Sequence, residues 1–190
     1  MTEVAERLIT VDEFARLAPD PEGGRMELVE GKVVTLPPPD AAHREIASVT
    51  FFLLRKFVRR HQLGRLATGA AVSLTPDGLN VRVPGVSLVS AQRSPEEGLQ
   101  RAGYDQPAPD LCVEVFSKGH TDEAMAERVA LYLSAGVRRV WVIRPRLGTV
   151  TIHRHGADAR LLRVGETLSS DDAGFAVEGL ALPVRQLFHS

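Results

Sequence analysis

Two long segments of the chain repeat apolar residues at helical spacing. The first covers residues 41–62 and follows Asp40, whose side chain can cap a helix. Its apolar stripe consists of Ile46, Val49 or Thr50, Leu53 and Phe57. The second covers residues 122–135 and follows the capping residue Thr121. These segments are predicted to be the two main helices.

Shorter segments around these helices favour strands, turns and one small helix. A capping box of Thr10 and Glu13 predicts a short helix over residues 11–18. The segments MELVE and KVVTL, joined at Glu30-Gly31, predict a β-hairpin, and VTIHRH with RLLRVG predicts another. SPEEGLQRAG is typical of a short polar helix or a loop, and ALPVRQLF of a strand end followed by a helical turn.

Three apolar runs predict the central strands, at residues 81–90, 111–116 and 140–143. The order of elements is α, ββ, α, ββ, β, α, β, ββ, which indicates a mixed sheet with the two long helices packed on it. Residues 110–143 should form a β-α-β unit with a right-handed crossover. The predicted fold class is therefore α/β.

Length and composition narrow the class of protein. At 190 residues the chain fits one domain: an N-terminal helix and hairpin (10–36), a core (40–144), and a C-terminal hairpin and tail (149–190). A net charge of −1 gives no overall basic field, so a nucleic-acid partner would need a local basic patch. The single cysteine favours a reducing cytoplasm, and neither a signal peptide nor a membrane span is expected.

A carboxylate stands in the middle of the most apolar strand, DLCVEVF. Asp110, Cys112, Glu114 and Phe116 share one face of it, because side chains alternate along a strand. Two carboxylates on one face are a common beginning of a metal site. The alternative is an ion pair between Glu114 and Arg128, whose place on the second long helix points it towards the sheet.

Five segments occur in the order and spacing of one known family: RMELVEGKVV, PPPDAAHREIA, VRVPGVSLV, APDLCVEVFS and ERVALYLSAGVRRVWVIRP. From about Thr10 to Phe188 the chain resembles the bacterial Uma-type restriction endonucleases of the PD-(D/E)XK nuclease superfamily. The resemblance implies a restriction-endonuclease-like α/β sandwich, with helices and extra hairpins around a central mixed sheet. It also implies phosphodiester cleavage with Mg²⁺ or Mn²⁺, and no small-molecule cofactor.

The resemblance assigns expected roles to four positions and shows where this chain departs from the pattern. Glu114 matches the second metal-binding carboxylate. Gly85 stands where the family keeps an aspartate, and Arg128 stands where the family has its lysine. Arg144 occupies a position that is often acidic. A hard divalent cation needs oxygen ligands, so the loss at Gly85 predicts weakened metal binding.

Three further residues have both a site role and an ordinary alternative. Glu27 matches a hairpin glutamate of the family and could bind metal, or could form a salt bridge. His43 also matches the family, and the alternative is a hydrogen bond at the helix start. Lys118 could replace the missing lysine, or could be a solvated loop residue.

Other candidates favour structural roles. Cys112 is predicted to be a core residue rather than a nucleophile, and His153 with His155 lacks a third zinc ligand nearby in sequence. A basic strip on the outer face of the first long helix could meet phosphates, although a solvated face is the simpler interpretation. The strip consists of Arg55, Lys56, Arg59 and Arg60.

These observations predict a metal-dependent endonuclease-like protein whose activity is weak or lost. The alternative is a nuclease fold without catalysis that binds nucleic acid or a protein partner. A third interpretation is a structural or oligomeric domain in which Glu114 serves stability alone. DNA is the expected substrate, and self-pairing of the edge formed by VTIHRH and RLLRVG would give a homodimer.

Overall fold

The computed structural model describes residues 7–93 and 108–188. The α-helices of these residues are α1 (Val11–Phe14), α2 (Ala41–Arg60), α3 (Asp122–Ser134) and α4 (Ser170–Ala173), and two 3₁₀ helices span Pro145–Leu147 and Val184–Leu187. The strands are β1 (Arg25–Val29), β2 (Lys32–Leu36), β3 (Gly64–Thr68), β4 (Val72–Ser73), β5 (Val81–Arg82), β6 (Val86–Ser90), β7 (Leu111–Val115), β8 (Arg139–Arg144), β9 (Thr149–Arg154), β10 (Ala157–Arg163), β11 (Thr167–Ser169) and β12 (Ala181–Pro183). The predicted helix or loop at SPEEGLQRAG lies outside the described residues.

The main sheet of the described residues has six strands in the order β10-β9-β8-β7-β6-β3. It is mixed, because β7 and β8 are parallel while the other neighbours are antiparallel. The predicted central position of β7 is confirmed: it lies between β6 and β8, and α3 provides the crossover. A second sheet, β2-β1-β5-β4, is antiparallel, and β11 pairs with β12.

Alternation along β7 builds two cores on opposite faces of the main sheet. Leu111, Val113 and Val115 pack in the cluster that contains the buried residues of α2. Cys112 packs in the cluster that contains Tyr132 and the other buried residues of α3. The sheet is therefore covered by one long helix on each side, and the predicted α/β sandwich is confirmed.

The buried face of α2 differs from the predicted stripe. Asp40 caps the helix as expected, by accepting a hydrogen bond from the His43 N–H. The buried residues of α2 are His43, Ile46, Ala47, Thr50, Leu54 and Val58. Leu53 and Phe57 are only partly buried, whereas Leu54 and Val58 face the core. The helix also ends at Arg60, and Gly64 begins β3 instead of ending α2.

Two other predicted boundaries were wrong. Residues 81–90 are two strands in different sheets, β5 and β6, because Pro84 lacks a ladder donor and Gly85 lies between the two strands. Helix α1 has the predicted capping box but spans only four residues. Phe14 is its one buried residue, so little packing stabilises the helix. The hairpin turn at Glu30-Gly31 is confirmed, with φ of 50° and 76°, as a two-residue turn requires.

The C-terminal hairpin forms one edge of the main sheet. β10 is the edge strand, and Leu161 on it is 41% exposed. The homodimer through this edge stays a prediction. Among the described helices, none has the length and apolar character needed to span a membrane.

Candidate active site

Glu27 and Arg128 form the centre of a buried charge cluster that links the two sheets. The guanidinium of Arg128 donates from Nη1 to Glu27 Oε1 at 2.9 Å and from Nη2 to Oε2 at 2.6 Å. The backbone N–H of Val83 also donates to Glu27 Oε1, at 3.0 Å. Glu27 is 1% exposed and Arg128 is 9% exposed. Both carboxylate oxygens of Glu27 are therefore engaged by the protein itself.

Glu114 joins this cluster from the centre of β7. Its Oε1 accepts a hydrogen bond from the Tyr132 hydroxyl at 2.7 Å and lies 3.3 Å from Arg128 Nη1. Tyr132 stands one helical turn after Arg128, so both side chains reach the same carboxylate. Oε2 of Glu114 is buried and has no hydrogen-bond partner among the described residues. The ion pair between Glu114 and Arg128 that the sequence suggested is present.

Two more arginines surround Glu27. Arg25 Nε lies 3.6 Å from Glu27 Oε1, and Arg82 Nε lies 3.8 Å from Oε2. The cluster thus contains three guanidinium groups and two carboxylates. Sequence reasoning missed Arg25, Arg82 and Tyr132. The signal for Arg25 is its spacing of two residues from Glu27 on β1, which puts both on one face.

Burial and charge act against each other in the cluster. Burial alone would raise the pKa of Glu27, but the hydrogen bonds and charge of Arg128, helped by Arg25, outweigh it, so the pKa is lowered. Burial alone would lower the pKa of Arg128, but the charge of Glu114 and the hydrogen bonds to Glu27 raise it. Both groups are therefore ionised at neutral pH, and each depends on its partner.

Gly85 lies in the break between β5 and β6 and faces the part of β7 that contains Glu114. The pairing of Val86 with Val113 brings Gly85 next to this part of β7. A Cβ added at Gly85 would lie 3.2 Å from the Val113 carbonyl oxygen and 3.8 Å from His43 Nε2. His43 is 5% exposed, and its Nδ1 has no hydrogen-bond partner among the described residues. The histidine and the position of the family aspartate are therefore neighbours.

Lys118 and Asp110 are outside the charge cluster. Lys118 is exposed in the loop after β7, on the wall of two cavities that His43 also lines. Asp110 lies at the opposite end of β7 from Phe116, where Arg93 and Arg138 are 3.4 and 3.2 Å away. Asp110, directly before β7, and Glu114 share one face of the strand but lie four residues apart along it, and Asp110 contacts these two arginines instead of the charge cluster.

The remaining candidates have the structural surroundings that the sequence suggested. Cys112 is fully buried, and burial raises the pKa of its thiol well above the ordinary value. His153 is partly buried and His155 is exposed. Across residues 7–93 and 108–188, no group of three or more histidine, cysteine, aspartate or glutamate side chains could hold a metal ion. The basic strip on α2 is exposed.

Comparison with known proteins identifies the family. The family model of Uma2, described as a putative restriction endonuclease, matches residues 11–185. The chain belongs to the Uma2 family. A crystal structure of a putative nuclease of the DUF820 group from Anabaena variabilis has the same fold, with a TM-score of 0.78 and 23% identity over 95% of this chain and 97% of that chain. No curated protein matches the chain significantly.

The side chains of this Uma2 member do not match the ligand set of a hard divalent cation. Mg²⁺ and Mn²⁺ prefer several carboxylate or carbonyl oxygens that are free to bind. Both oxygens of Glu27 are engaged by Arg128, and Oε1 of Glu114 is engaged by Tyr132 and Arg128. Oε2 of Glu114 is the remaining oxygen of these two carboxylates without a hydrogen bond. Gly85 contributes no side chain, so the donor set is incomplete.

His43 should make the stability of the protein sensitive to mild acid. Burial, with the charge of Arg25, lowers the pKa of His43, against the opposing charges of Glu114 and Asp40. Because the unfolded histidine titrates near 6.5, the unfolded state binds the proton first as the pH falls. We expect the free energy of unfolding to decrease between pH 7 and 5, by at most about 1.4 kcal/mol per pH unit for this residue.

Urea unfolding at several pH values measures this effect. His43→Gln should flatten the pH dependence, whereas His155→Gln, at an exposed histidine, should leave it unchanged. Burial also lowers the pKa of His120 and His153, so part of the slope should persist in His43→Gln. An identical slope in the His43 variant and the wild type would contradict the expectation.

Proposed function

We propose that this protein binds nucleic acid in the cleft formed by the two cavities that His43 and Lys118 line, next to the charge cluster, and that its metal-dependent phosphodiester cleavage is weak or lost. Membership of the Uma2 family supports the class of substrate. The observation that carries the proposal is the position of the Arg128 guanidinium, which neutralises Glu27 through two hydrogen bonds and also contacts Glu114. A cation of the protein thus already engages the carboxylates that would bind a metal.

The chemistry of arginine supports the loss of catalysis. Arginine stays protonated at physiological pH, so Arg128 can stabilise negative charge but cannot act as a base. Its planar guanidinium donates two parallel hydrogen bonds to one carboxylate. A metal ion would therefore have to compete with a buried, charge-assisted ion pair for the oxygens of Glu27. Loss of a metal-binding aspartate commonly costs several kcal/mol of transition-state stabilisation, about a thousandfold in rate.

The basic side chains that line the cleft support binding of a nucleic acid, which is a polyanion. The two cavities next to the charge cluster are lined by four basic residues, Arg25, Lys118, Arg144 and Arg146, and by the carboxylate of Asp40. Arg25 and Arg144 also form ion pairs with Glu27 and Asp122. Oδ1 of Asp40 accepts the hydrogen bond from the His43 backbone N–H at the N-terminus of α2. A local basic patch is the feature that a chain with a net charge of −1 needs to attract phosphates.

Residual metal-assisted cleavage is the second candidate function. The specific observations in its favour are the free Oε2 of Glu114 and the position of Lys118 on the cleft wall. Such activity would depend on Glu114 and would be slow, because one carboxylate oxygen is a poor ligand set for a hard cation.

Two assays with purified protein test the proposal. We expect DNA binding in EDTA, and little or no nicking of supercoiled plasmid with Mg²⁺ or Mn²⁺. Robust nicking that Glu114→Gln abolishes would contradict the loss of catalysis. Absence of binding to both DNA and RNA at low salt would contradict the nucleic-acid assignment and favour a structural domain. Glu114→Gln is the variant of choice because it keeps the length of the side chain. The shorter asparagine of Glu114→Asn would also change the positions of the contacts to Tyr132 and Arg128.

A further inference from the structure

Two cavities lie side by side next to the charge cluster. The larger has a volume of about 700 Å³ and the smaller about 330 Å³. They share the wall formed by Asp40, His43, Ser117, Lys118 and His120. Volumes of this size suit a ligand as large as a nucleotide and are too small for a duplex.

The smaller cavity is lined by two residues with a buried nitrogen atom that makes no hydrogen bond to the described part of the chain. Arg25 Nε and His43 Nδ1 are buried and lack a hydrogen-bond partner among the described residues. His120 Nδ1 accepts from the Ser117 N–H at 3.2 Å, which leaves the proton on Nε2. Lys118 adds an exposed ammonium at the rim. Buried donors normally find partners, and the oxygens of a phosphate group would accept hydrogen bonds from Arg25 Nε and His120 Nε2.

The larger cavity has an apolar wall and a fixed planar cation. Arg144 lies over the Phe116 ring, with Cζ 4.1 Å from the centroid, and Nη2 is 2.5 Å from Asp122 Oδ1. Pro145 and Leu147, which is 68% exposed, line the same cavity. Guanidinium planes, aromatic rings and apolar side chains are surfaces on which unpaired bases stack.

We propose that the joined cavities bind one nucleotide of a single-stranded nucleic acid without a metal ion, with its phosphate in the smaller cavity and its base in the larger. The inference rests on the proposed function and adds the form of the substrate. Inside a duplex the base is stacked and paired, so it reaches such a cavity only after it is extruded. A strand end or a single-stranded segment enters without that cost.

Fluorescence anisotropy in EDTA tests the inference with a labelled single-stranded 12-mer and the blunt duplex made from it. We expect the single strand to bind about tenfold more tightly than the duplex, because stacking of a base adds to the phosphate contacts. Leu147→Ser should weaken binding of the single strand about fivefold and leave the duplex unchanged. Leu161→Ser is the matched control, at a leucine on β10 that lines neither cavity.

A second pair of variants locates the phosphate. Lys118→Gln should weaken binding of both nucleic acids about threefold or more. Lys56→Gln makes the same change on the basic strip of α2 and should have no such effect. Equal losses in the two lysine variants would place the binding surface on α2 and overturn the inference.

The outcomes also separate the inference from the proposed function. Equal affinity for single strand and duplex, dependent on Lys118, would overturn the nucleotide site while the nucleic-acid assignment stands. If Leu147→Ser does not weaken binding of the single strand, the proposed position of the base in the larger cavity is likewise overturned. Absence of binding to either nucleic acid would overturn both proposals.

Discussion

Replacing Arg128 with methionine should lower the free energy of unfolding by about 3–5 kcal/mol. The substitution keeps an apolar stem of similar length but removes the cation that neutralises Glu27 and contacts Glu114. Both carboxylates are almost completely buried. Glu27 would keep only the more distant Arg25 and Arg82, and Glu114 would lose the cation 3.3 Å from its Oε1. Urea unfolding followed by circular dichroism measures the loss as a shift of the midpoint at constant slope.

Matched variants separate the ion pair from general loss of packing. Arg59→Met makes the same substitution at an exposed position of α2 and should cost less than about 1 kcal/mol. Glu27→Gln in the Arg128→Met background should recover part of the loss, because it removes one unpaired charge. An Arg128 variant as stable as the Arg59 variant would contradict the assigned role of the guanidinium.

Restoring the two family residues should create metal-dependent nicking. Gly85→Asp would add a carboxylate on the segment that faces β7 near Glu114. Arg128→Lys would replace the two hydrogen bonds of the guanidinium to Glu27 with the contact of one ammonium group, which would leave an oxygen of Glu27 available. We expect the double variant to bind Mn²⁺ and to nick plasmid DNA about a thousandfold faster than the wild type. Glu114→Gln should abolish both gains.

The backbone conformation of Gly85 is compatible with an aspartate, and one contact of the added Cβ is tight. The backbone of Gly85 does not have the positive φ that favours glycine, and the tightest contact of its added Cβ is 3.2 Å to the Val113 carbonyl oxygen. A backbone shift of a few tenths of an ångström would relieve it. Gly119→Asp is the control, since it adds the same charge in an open loop. A folded double variant with no greater Mn²⁺ affinity than this control would show that the family likeness concerns the fold alone.

The sequence predicted those parts of the fold that depend on local patterns. Caps at Asp40 and Thr121 located both long helices, because a capping side chain and the following apolar repeat are neighbours in the chain. The separation of residues 81–90 into two sheets was not predictable in the same way. Both halves have strand-like sequences, and the choice of partner strand is made by distant segments, β1 for one half and β7 for the other.

The candidate site shows the same limit. The pair of Glu114 and Arg128 could be inferred from a strand face and a helix stripe. The stronger contact, between Glu27 and Arg128, joins residues 101 positions apart. Hydrophobic periodicity predicts local structure and does not predict contacts between residues so far apart in the chain. The family resemblance suggested a role for Glu27, but only the folded chain shows that both of its oxygens are already engaged.

Calorimetric titration of the wild-type protein with Mn²⁺, beside Glu114→Gln, tests the central claim that Arg128 has displaced metal binding at these carboxylates. Both proteins should give the same small, non-saturating heats, because the engaged oxygens of Glu27 and the missing side chain at Gly85 leave too few ligands. A saturable binding heat in the wild type that disappears in Glu114→Gln would contradict the claim.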